Sequence, residues 1–127
     1  MAKQLGHSIY WVGAQQGVTH EVTFVGRNLY LRALPTGVAV GSTTPYTTVG
    51  THEQANAYEG LVSASKVAGA SSQQLRGGAL VVVPAGKPTS AYFAFPNTTL
   101  LMEVYDPTAG EALKLVVSGA VQPINPS

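Results

Sequence analysis

The sequence predicts an α+β fold, in which a largely antiparallel sheet of about six strands carries two helices on one face. The first observation is Leu100 to Tyr105, where apolar, β-branched and aromatic residues dominate without a breaker, as is typical of a strand. The second is Thr108 to Ser118, where apolar residues recur three or four positions apart, as on one side of a helix. Only Asp106 and Pro107 separate the two. A strand that turns directly into a helix folding back onto it is typical of an α+β domain.

The sequence also indicates both ends of this last helix. Asp106 can accept hydrogen bonds from the free amides of a first helical turn, and proline is tolerated at the position that follows, so we expect Asp106 to be the N-cap. Gly119 is expected to end the helix as its C′ residue. The apolar residues predicted to face the sheet are Ala109, Ala112, Leu113, Val116 and Val117.

The first part of the chain is predicted to form three strands joined by turns. Ser8 to Val12 is rich in apolar and aromatic residues, and Val18 to Val25 alternates in the manner of a half-buried strand. Gly26-Arg27-Asn28 suits a tight hairpin turn, and Leu29 to Leu34 is the return strand, ended by Pro35.

A helix is predicted to begin at Thr51, because Thr51-His52-Glu53-Gln54 matches the capping-box pattern, and to end at Gly69. Gly60 inside it is expected to mark a close packing contact. Before this helix, residues 36–50 are rich in Gly, Thr and Pro, and only Val38 to Val40 could form a short strand there. The helix residues predicted to be buried are Ala55, Tyr58, Leu61, Val62, Ser65 and Ala68.

The rest of the chain adds strands. Ala70 to Gly78 is expected to be a loop, and Ala79 to Val83 and Ser90 to Phe95 are apolar enough to be strands of the sheet. The tail, residues 121–127, is expected to add one short edge strand. The length of 127 residues fits a single domain spanning 1–127.

The two halves of the chain resemble each other in pattern when one is shifted by 71 positions. The pseudo-repeats cover about 8–69 and 79–119, followed by an irregular tail at 120–127, which suggests an internal β-β-β-α duplication. On this hypothesis Phe24 and Phe95 occupy equivalent core positions. The first copy contains an insert, Thr36 to Gly50, where the second passes straight from strand to helix.

Composition excludes several classes of function. Seven basic and six acidic residues are scattered along the chain, so no basic run exists to bind nucleic acid. There is no cysteine, which removes disulfides and thiolate chemistry, and no apolar run is long enough to span a bilayer. Only 10% of the residues are charged against 45% hydrophobic, so we expect an adhesive surface that binds an unknown protein partner or associates with itself as an oligomer.

No constellation in the sequence specifies a reaction, so we expect no catalytic residue, cofactor or metal. Asp106 is the only aspartate, and as a helix cap it would be unavailable to a Ser-His-Asp triad. His7, His20 and His52 have no spacing typical of a metal site. Arg32 and Glu103 fall at equivalent positions of the two copies and could form a structural ion pair.

The insert at 36–50 is the part most easily given a specific function. Thr44, Pro45, Tyr46 and Thr47 combine an aromatic side chain with adaptable hydrogen-bonding groups, which binding surfaces favour, so they are the predicted partner-binding residues. The alternative is that the insert only connects two elements, with Tyr46 packed down as its anchor.

Several phrases of the sequence resemble a family of uncharacterised bacterial domains, mostly actinobacterial. These phrases are Leu5-Gly6-His7-Ser8-Ile9-Tyr10-Trp11-Val12-Gly13, Leu29-Tyr30-Leu31-Arg32-Ala33-Leu34-Pro35-Thr36-Gly37-Val38, Val49-Gly50-Thr51 and Glu103-Val104-Tyr105-Asp106-Pro107. The resemblance implies a domain that follows an N-terminal membrane anchor or signal and lies outside the cytoplasmic membrane. The chain as given carries no such segment, which suggests a soluble piece excised from an anchored protein.

The family has no established activity to carry over. The sequence therefore predicts a non-enzymatic binding or structural domain of unknown specificity. The alternative is a small-ligand-binding domain with a pocket between the two halves.

Overall fold

The computed structural model describes residues 2–126 and has an α+β fold, as predicted. Within residues 2–126, nine strands and two packed helices follow a short N-terminal helical turn. The elements in chain order are α1 (Ala2–Leu5), β1 (Ile9–Trp11), β2 (Val18–Val25), β3 (Asn28–Pro35), β4 (Thr48–Glu53), α2 (Ala57–Ser65), β5 (Ser71–Gln74), β6 (Leu80–Val83), β7 (Ser90–Ala94), β8 (Leu100–Tyr105), α3 (Glu111–Val117) and β9 (Gln122–Ile124).

Seven of the strands form one antiparallel sheet in the order β2-β3-β4-β8-β7-β6-β5. At its centre β4 pairs with β8, so that Thr51 lies opposite Met102. The other two strands, β1 and β9, form a small antiparallel sheet of their own, which confirms the short strand predicted in the tail.

The two helices pack on opposite faces of the large sheet, so the prediction that they share one face is wrong. Val81 of β6 is buried in the same cluster as Ala112 and Val116 of α3. Its neighbours Leu80 and Val82 point the other way, into a cluster with residues of α2. A strand buried on both sides reads as an unbroken apolar run, and such a run does not show on which side a helix packs. We name the two sides the α3 face and the α2 face.

Strand β4 occupies the place where the sequence predicted the start of a helix. Thr51 is fully buried in the middle of β4, and its hydroxyl accepts a hydrogen bond of 3.0 Å from the backbone amide of Tyr10, which docks β1 against the α3 face. Helix α2 begins only at Ala57, after Asn56 in the left-handed region (φ 58). The capping-box match at Thr51 was therefore coincidental, because the same residues also alternate as a strand requires.

Three smaller expectations also fail. Ser71–Gln74 is the edge strand β5 rather than a loop; its four residues are polar and exposed, so no apolar pattern could indicate it. Val38 to Val40 forms no strand. Gly60 is exposed, and a Cβ built on it would meet nothing within 4 Å, so it makes no close packing contact.

Asp106 is structural, but it is not the N-cap of the last helix. That position belongs to Gly110, and α3 begins at Glu111. Asp106 is only 8% exposed, and its carboxylate accepts hydrogen bonds from the Thr47 hydroxyl and from the backbone amide of Thr108 (2.8 Å). It thus joins the chain after β8 to the chain before β4.

The end of α3 is as predicted. Gly119 adopts a positive φ of 83, and its amide bonds to the carbonyl of Val116. The next amide, of Ala120, bonds to the carbonyl of Leu115, which completes a Schellman motif.

The resemblance between the two halves is confined to one hairpin. Val22 opposite Leu31 in β2–β3 corresponds, after the shift of 71, to Phe93 opposite Met102 in β7–β8. The first strands of the two copies differ, because β1 pairs with β9 whereas β6 pairs with β7. Phe24 is 52% exposed while Phe95 packs against the core, so their predicted equivalence is wrong.

Replacing Asp106 should test its role as a joint between two segments. We expect Asp106→Ala to lower the free energy of unfolding by about 2 kcal/mol, because the Thr47 hydroxyl and the Thr108 amide lose their acceptor in a buried place. Asp106→Asn keeps one acceptor oxygen and should lose less. Urea unfolding of Asp106→Ala, Thr47→Val and the double variant measures the coupling. Strictly additive losses would contradict a direct Thr47–Asp106 interaction.

Candidate binding site

A cleft of about 220 Å³ lies on the α2 face, above the junction of β4 and β8. Helix α2 packs over the β6–β7 end of this face, through Ala57 and Leu61. The cleft lies beside that helix, and we call it the tyrosine cleft. Its lining residues are Tyr30, Thr48, Gly50, Glu103 and Tyr105.

Strand register brings these residues together. Gly50 of β4 lies opposite Tyr30 of β3 on one side and opposite Glu103 of β8 on the other. Glu103 also lies opposite Tyr92 of β7. Residues in one such row project from the same face of a sheet. The residues that line the cleft therefore lie on three adjacent paired strands, β3, β4 and β8, and their side chains are held by the sheet.

Gly50 makes the space in which the ring of Tyr30 lies. A Cβ at Gly50 would come within 2.8 Å of the Tyr30 ring and 3.1 Å of His52 Nε2. Tyr30 instead packs edge-on to His52, with ring centroids 5.3 Å apart. Glycine at this position thus makes room for the Tyr30 ring to lie against the sheet.

Glu103 is the only charged residue lining the cleft. Its Oε1 lies 3.2 Å from His52 Nε2, and its Oε2 accepts a hydrogen bond of 3.2 Å from the hydroxyl of Tyr92. The hydrogen bond with His52 is the main cause that lowers the pKa of Glu103, against the opposing effect of burial. Glu103 is therefore an ionised carboxylate with donors on both oxygens.

The tyrosines around Glu103 stay protonated. Burial, followed by the charge of Glu103, raises the pKa of Tyr92 to about 12, and the same two causes raise the pKa of Tyr30. At neutral pH the phenols are hydrogen-bond donors, and the cleft carries the negative charge of Glu103.

The segment 36–47, which we call the rim segment, is held beside the cleft by an ion pair. Arg32 Nη2 lies 2.8 Å from Glu21 Oε1, and both side chains are largely buried. Arg32 Nη1 donates to the carbonyls of Ser42 (2.8 Å) and Thr44 (3.2 Å), and the amide of Gly41 donates to Glu21. The pair therefore fixes the backbone of an irregular connection. Arg32 pairs with Glu21, so the predicted pair of Arg32 with Glu103 is wrong.

The four predicted partner-binding residues lie in or next to this clamped backbone. Thr44 and Pro45 are exposed, and Tyr46 is half-buried. The carbonyl of Tyr46 accepts a hydrogen bond of 2.9 Å from the hydroxyl of Thr48, which lines the cleft, whereas the hydroxyl of Thr47 is used by Asp106. Their role in binding stays a prediction.

Sequence reasoning missed the tyrosine cleft because it missed β4. Tyr30 and Arg32, and likewise Glu103 and Tyr105, are two positions apart on strands that were predicted. That spacing places each pair on one face. The strand that joins the two pairs, β4, was predicted to be partly the end of the irregular insert and partly the start of a helix, so nothing indicated that the two pairs meet.

The three histidines lie in separate places. His7 Nε2 lies 3.1 Å from Glu53, His20 packs on Trp11 with centroids 4.9 Å apart, and His52 contacts Glu103. Burial lowers the pKa of His20. Across residues 2–126, no three His, Asp or Glu side chains converge where they could hold a metal ion.

A second hollow, of about 240 Å³, lies beside α3. Its walls include the rings of Tyr10, Phe93 and Phe95 with Val116, and Arg76 is its one charged lining residue. Tyr10 and Phe93 meet edge-on with centroids 5.6 Å apart, so much of this hollow is the margin of the core.

Comparisons with protein-family models, with curated proteins and with solved structures found no match. The resemblance to the actinobacterial domain family therefore stays a prediction. In the described part of the chain, no helix is long and apolar enough to cross a membrane.

A methyl group at position 50 should disturb the cleft. We expect Gly50→Ala to lower the free energy of unfolding by about 1–3 kcal/mol, because the new Cβ collides with the Tyr30 ring in a strand that is paired on both sides. Urea unfolding measures the loss, and fluorescence of a single-tyrosine background reports movement of the ring.

Gly60→Ala is the matched control, since the same methyl group on α2 meets nothing within 4 Å. It should raise stability by up to about 1 kcal/mol, the usual difference in helix propensity. Equal effects of the two substitutions would show that Gly50 has no special steric role.

Proposed function

We propose that this chain is a non-enzymatic binding domain of an extracytoplasmic bacterial protein, and that its partner binds at the tyrosine cleft and the rim segment. The observation that carries this proposal is the cleft, where paired strands hold aromatic side chains and one carboxylate in a concave surface. Aromatic rings with few rotatable bonds, fixed on a rigid scaffold, bind with little loss of entropy. The extracytoplasmic and bacterial origin rests on the sequence resemblance alone.

The chemistry of the cleft supports binding rather than catalysis. The side chain next to the Glu103–His52 pair is that of Tyr92, whose hydroxyl bonds to Glu103. Tyr92 has a pKa of about 12, and a phenol with such a pKa is a poor nucleophile at neutral pH. The only aspartate, Asp106, has both carboxylate oxygens engaged in joining two segments of the chain.

The alternative proposal is a small-ligand-binding domain with its site between the two halves. The position of the cleft favours it: Tyr30, Thr48 and Gly50 come from the first half, and Glu103 and Tyr105 from the second. A ligand in the cleft would contact both sides of the central β4–β8 pair.

Removing the Tyr46 side chain should separate binding from stability. Once a partner has been isolated with the immobilised domain, Tyr46→Ala should weaken binding by more than about 1 kcal/mol if Tyr46 is a hot spot. The melting temperature should change little, because Arg32 holds the rim segment through backbone carbonyls. Calorimetric titration and thermal unfolding measure the two quantities.

Val67→Ala is the control for this test, since Val67 is 60% exposed and lies outside the rim segment and the cleft. It should change neither binding nor stability. If Tyr46→Ala melts earlier and binds normally, the rim segment is a connector with Tyr46 as its anchor, and the binding surface lies elsewhere.

Self-association through β2 is proposed as a second mode of interaction. β2 is an eight-residue edge strand without Pro or Lys, and it exposes Val22, Phe24 and Val25. Such an edge presents unpaired backbone groups and apolar side chains to a second strand. The opposite edge, β5, is short and polar.

A charge on this edge should prevent self-association. Phe24→Lys should weaken it at least tenfold, since a lysine at an edge opposes strand addition. Sedimentation velocity over a range of concentrations measures this. Val67→Lys is the control, because Val67 is equally exposed but lies outside the sheet. A wild-type chain that stays monomeric, or an equal effect of Val67→Lys, would refute the role of β2.

A further inference from the structure

The tyrosine cleft contains one full charge, and it is negative. Glu103 is ionised, and the neighbouring groups that contact it are His52 and the phenol of Tyr92. The nearest guanidinium on this face, Arg32, is already paired with Glu21 and with two backbone carbonyls. Among residues 2–126, no lysine or arginine side chain lines the cleft, and the only basic group in contact with Glu103 is the imidazole of His52.

Tyrosine rings beside this carboxylate add to its attraction for cations. Tyr30 of β3 and Tyr105 of β8 line the cleft together with Glu103, which lies two residues before Tyr105 on the same strand. The faces of aromatic rings are electron-rich, and cations bind over them within about 6 Å of the centroid. Burial and the charge of Glu103 raise the pKa of Tyr30, so its ring is a neutral wall of the cleft.

Space and remaining hydrogen-bonding capacity also suit a cation. An ionised carboxylate offers about four acceptor sites, and Glu103 has used one on each oxygen. The cleft has a volume of about 220 Å³, which can admit a small alkylammonium group. A neutral polar ligand would use the rings and the hydroxyls but would add no charge opposite to that of the partly buried Glu103 carboxylate, whereas a cation would.

A lysine of the chain already acts on Glu103 from outside the cleft. The charge of Lys87, in the turn between β6 and β7, contributes to lowering the pKa of Glu103. Lys87 is exposed and does not line the cleft. Its ammonium group therefore weakens the field that a bound cation would experience.

From this geometry we propose that the tyrosine cleft binds an alkylammonium group, either a small quaternary ammonium compound or the side chain of a partner's lysine. Glu103 neutralises its charge, and the rings of Tyr30 and Tyr105 pack against its alkyl groups. This proposal rests on the proposed function and specifies the ligand of the same cleft.

The test compares ligands of equal shape and different charge. Amide chemical shifts of the ¹⁵N-labelled chain are followed during titration with choline and with its neutral carbon analogue, 3,3-dimethylbutan-1-ol, at low ionic strength. We expect saturable shifts at Tyr30, Gly50 and Glu103 with choline and at least tenfold weaker binding of the analogue. Titration with Nα-acetyl-lysine amide compares the two sources: tighter binding of choline indicates a small molecule, and tighter binding of the lysine derivative indicates a protein partner.

Four variants test the role of individual side chains. Glu103→Gln keeps the shape of the side chain and should weaken choline binding at least tenfold, whereas Glu59→Gln removes the same charge from an exposed position on α2 and should not. Tyr105→Leu should weaken binding severalfold through loss of a ring. Lys87→Gln should strengthen it by removing the competing charge. Dispersed spectra verify that each variant is folded.

Two results would overturn this inference. If choline and its neutral analogue shift the cleft amides with equal affinity, the cleft binds ligands but does not select charge, so the proposed function stands and the ligand class is wrong. If neither ammonium compound shifts these amides, the ligand class is also wrong. The proposed function is then judged by the Tyr46 experiment, which needs no ammonium ligand.

Discussion

The antiparallel pairing of β4 with β8 is the contact on which the other features of the structure depend. On the α3 face it aligns Val49, Thr51, Met102 and Val104, all of them buried, to form the centre of the core. On the α2 face the same register places Gly50 opposite Glu103 and so creates the cleft. The core and the cleft therefore lie on opposite faces of the same pair of strands, and the same backbone hydrogen bonds hold both in place.

Sequence patterns predicted the strands whose side chains alternate or run apolar, and failed where two patterns overlapped. Val18–Val25 and Leu100–Tyr105 were found with their observed bounds, because composition and period agreed. Thr48–Glu53 was missed because its last residues also match a helix start, and Ser71–Gln74 because pairing, not hydrophobicity, makes it a strand. The same holds for the candidate site. The strands that carry Tyr30 and Tyr105 were predicted, but β4, which lies between them in the sheet and brings the two residues to one cleft, was not.

Few charges are present, and most acidic groups hold parts of the chain together. Glu21 with Arg32 fixes the rim segment, and Arg27 donates two hydrogen bonds to Glu53 beside the hairpin turn. The exposed Arg27–Glu53 pair stabilises weakly, because water screens it, whereas the pair at Arg32 is shielded and also satisfies backbone carbonyls. Glu103 differs from these acids, since its neighbours are a histidine and a phenol rather than an arginine or lysine.

The central pairing also determines how the chain can fold. Thr51 and Met102 lie opposite each other although about two fifths of the sequence separates them, so the middle of the sheet cannot form from local contacts. During synthesis, which proceeds from the N-terminus, β2, β3 and β4 are complete long before β8 exists. For that interval β4 is an unpaired edge, and its Thr48, Gly50 and His52 are small or polar on the side that will become the cleft. The small and polar residues on the cleft side of β4 therefore also make this strand, while it is unpaired, less prone to aggregation than an apolar strand would be.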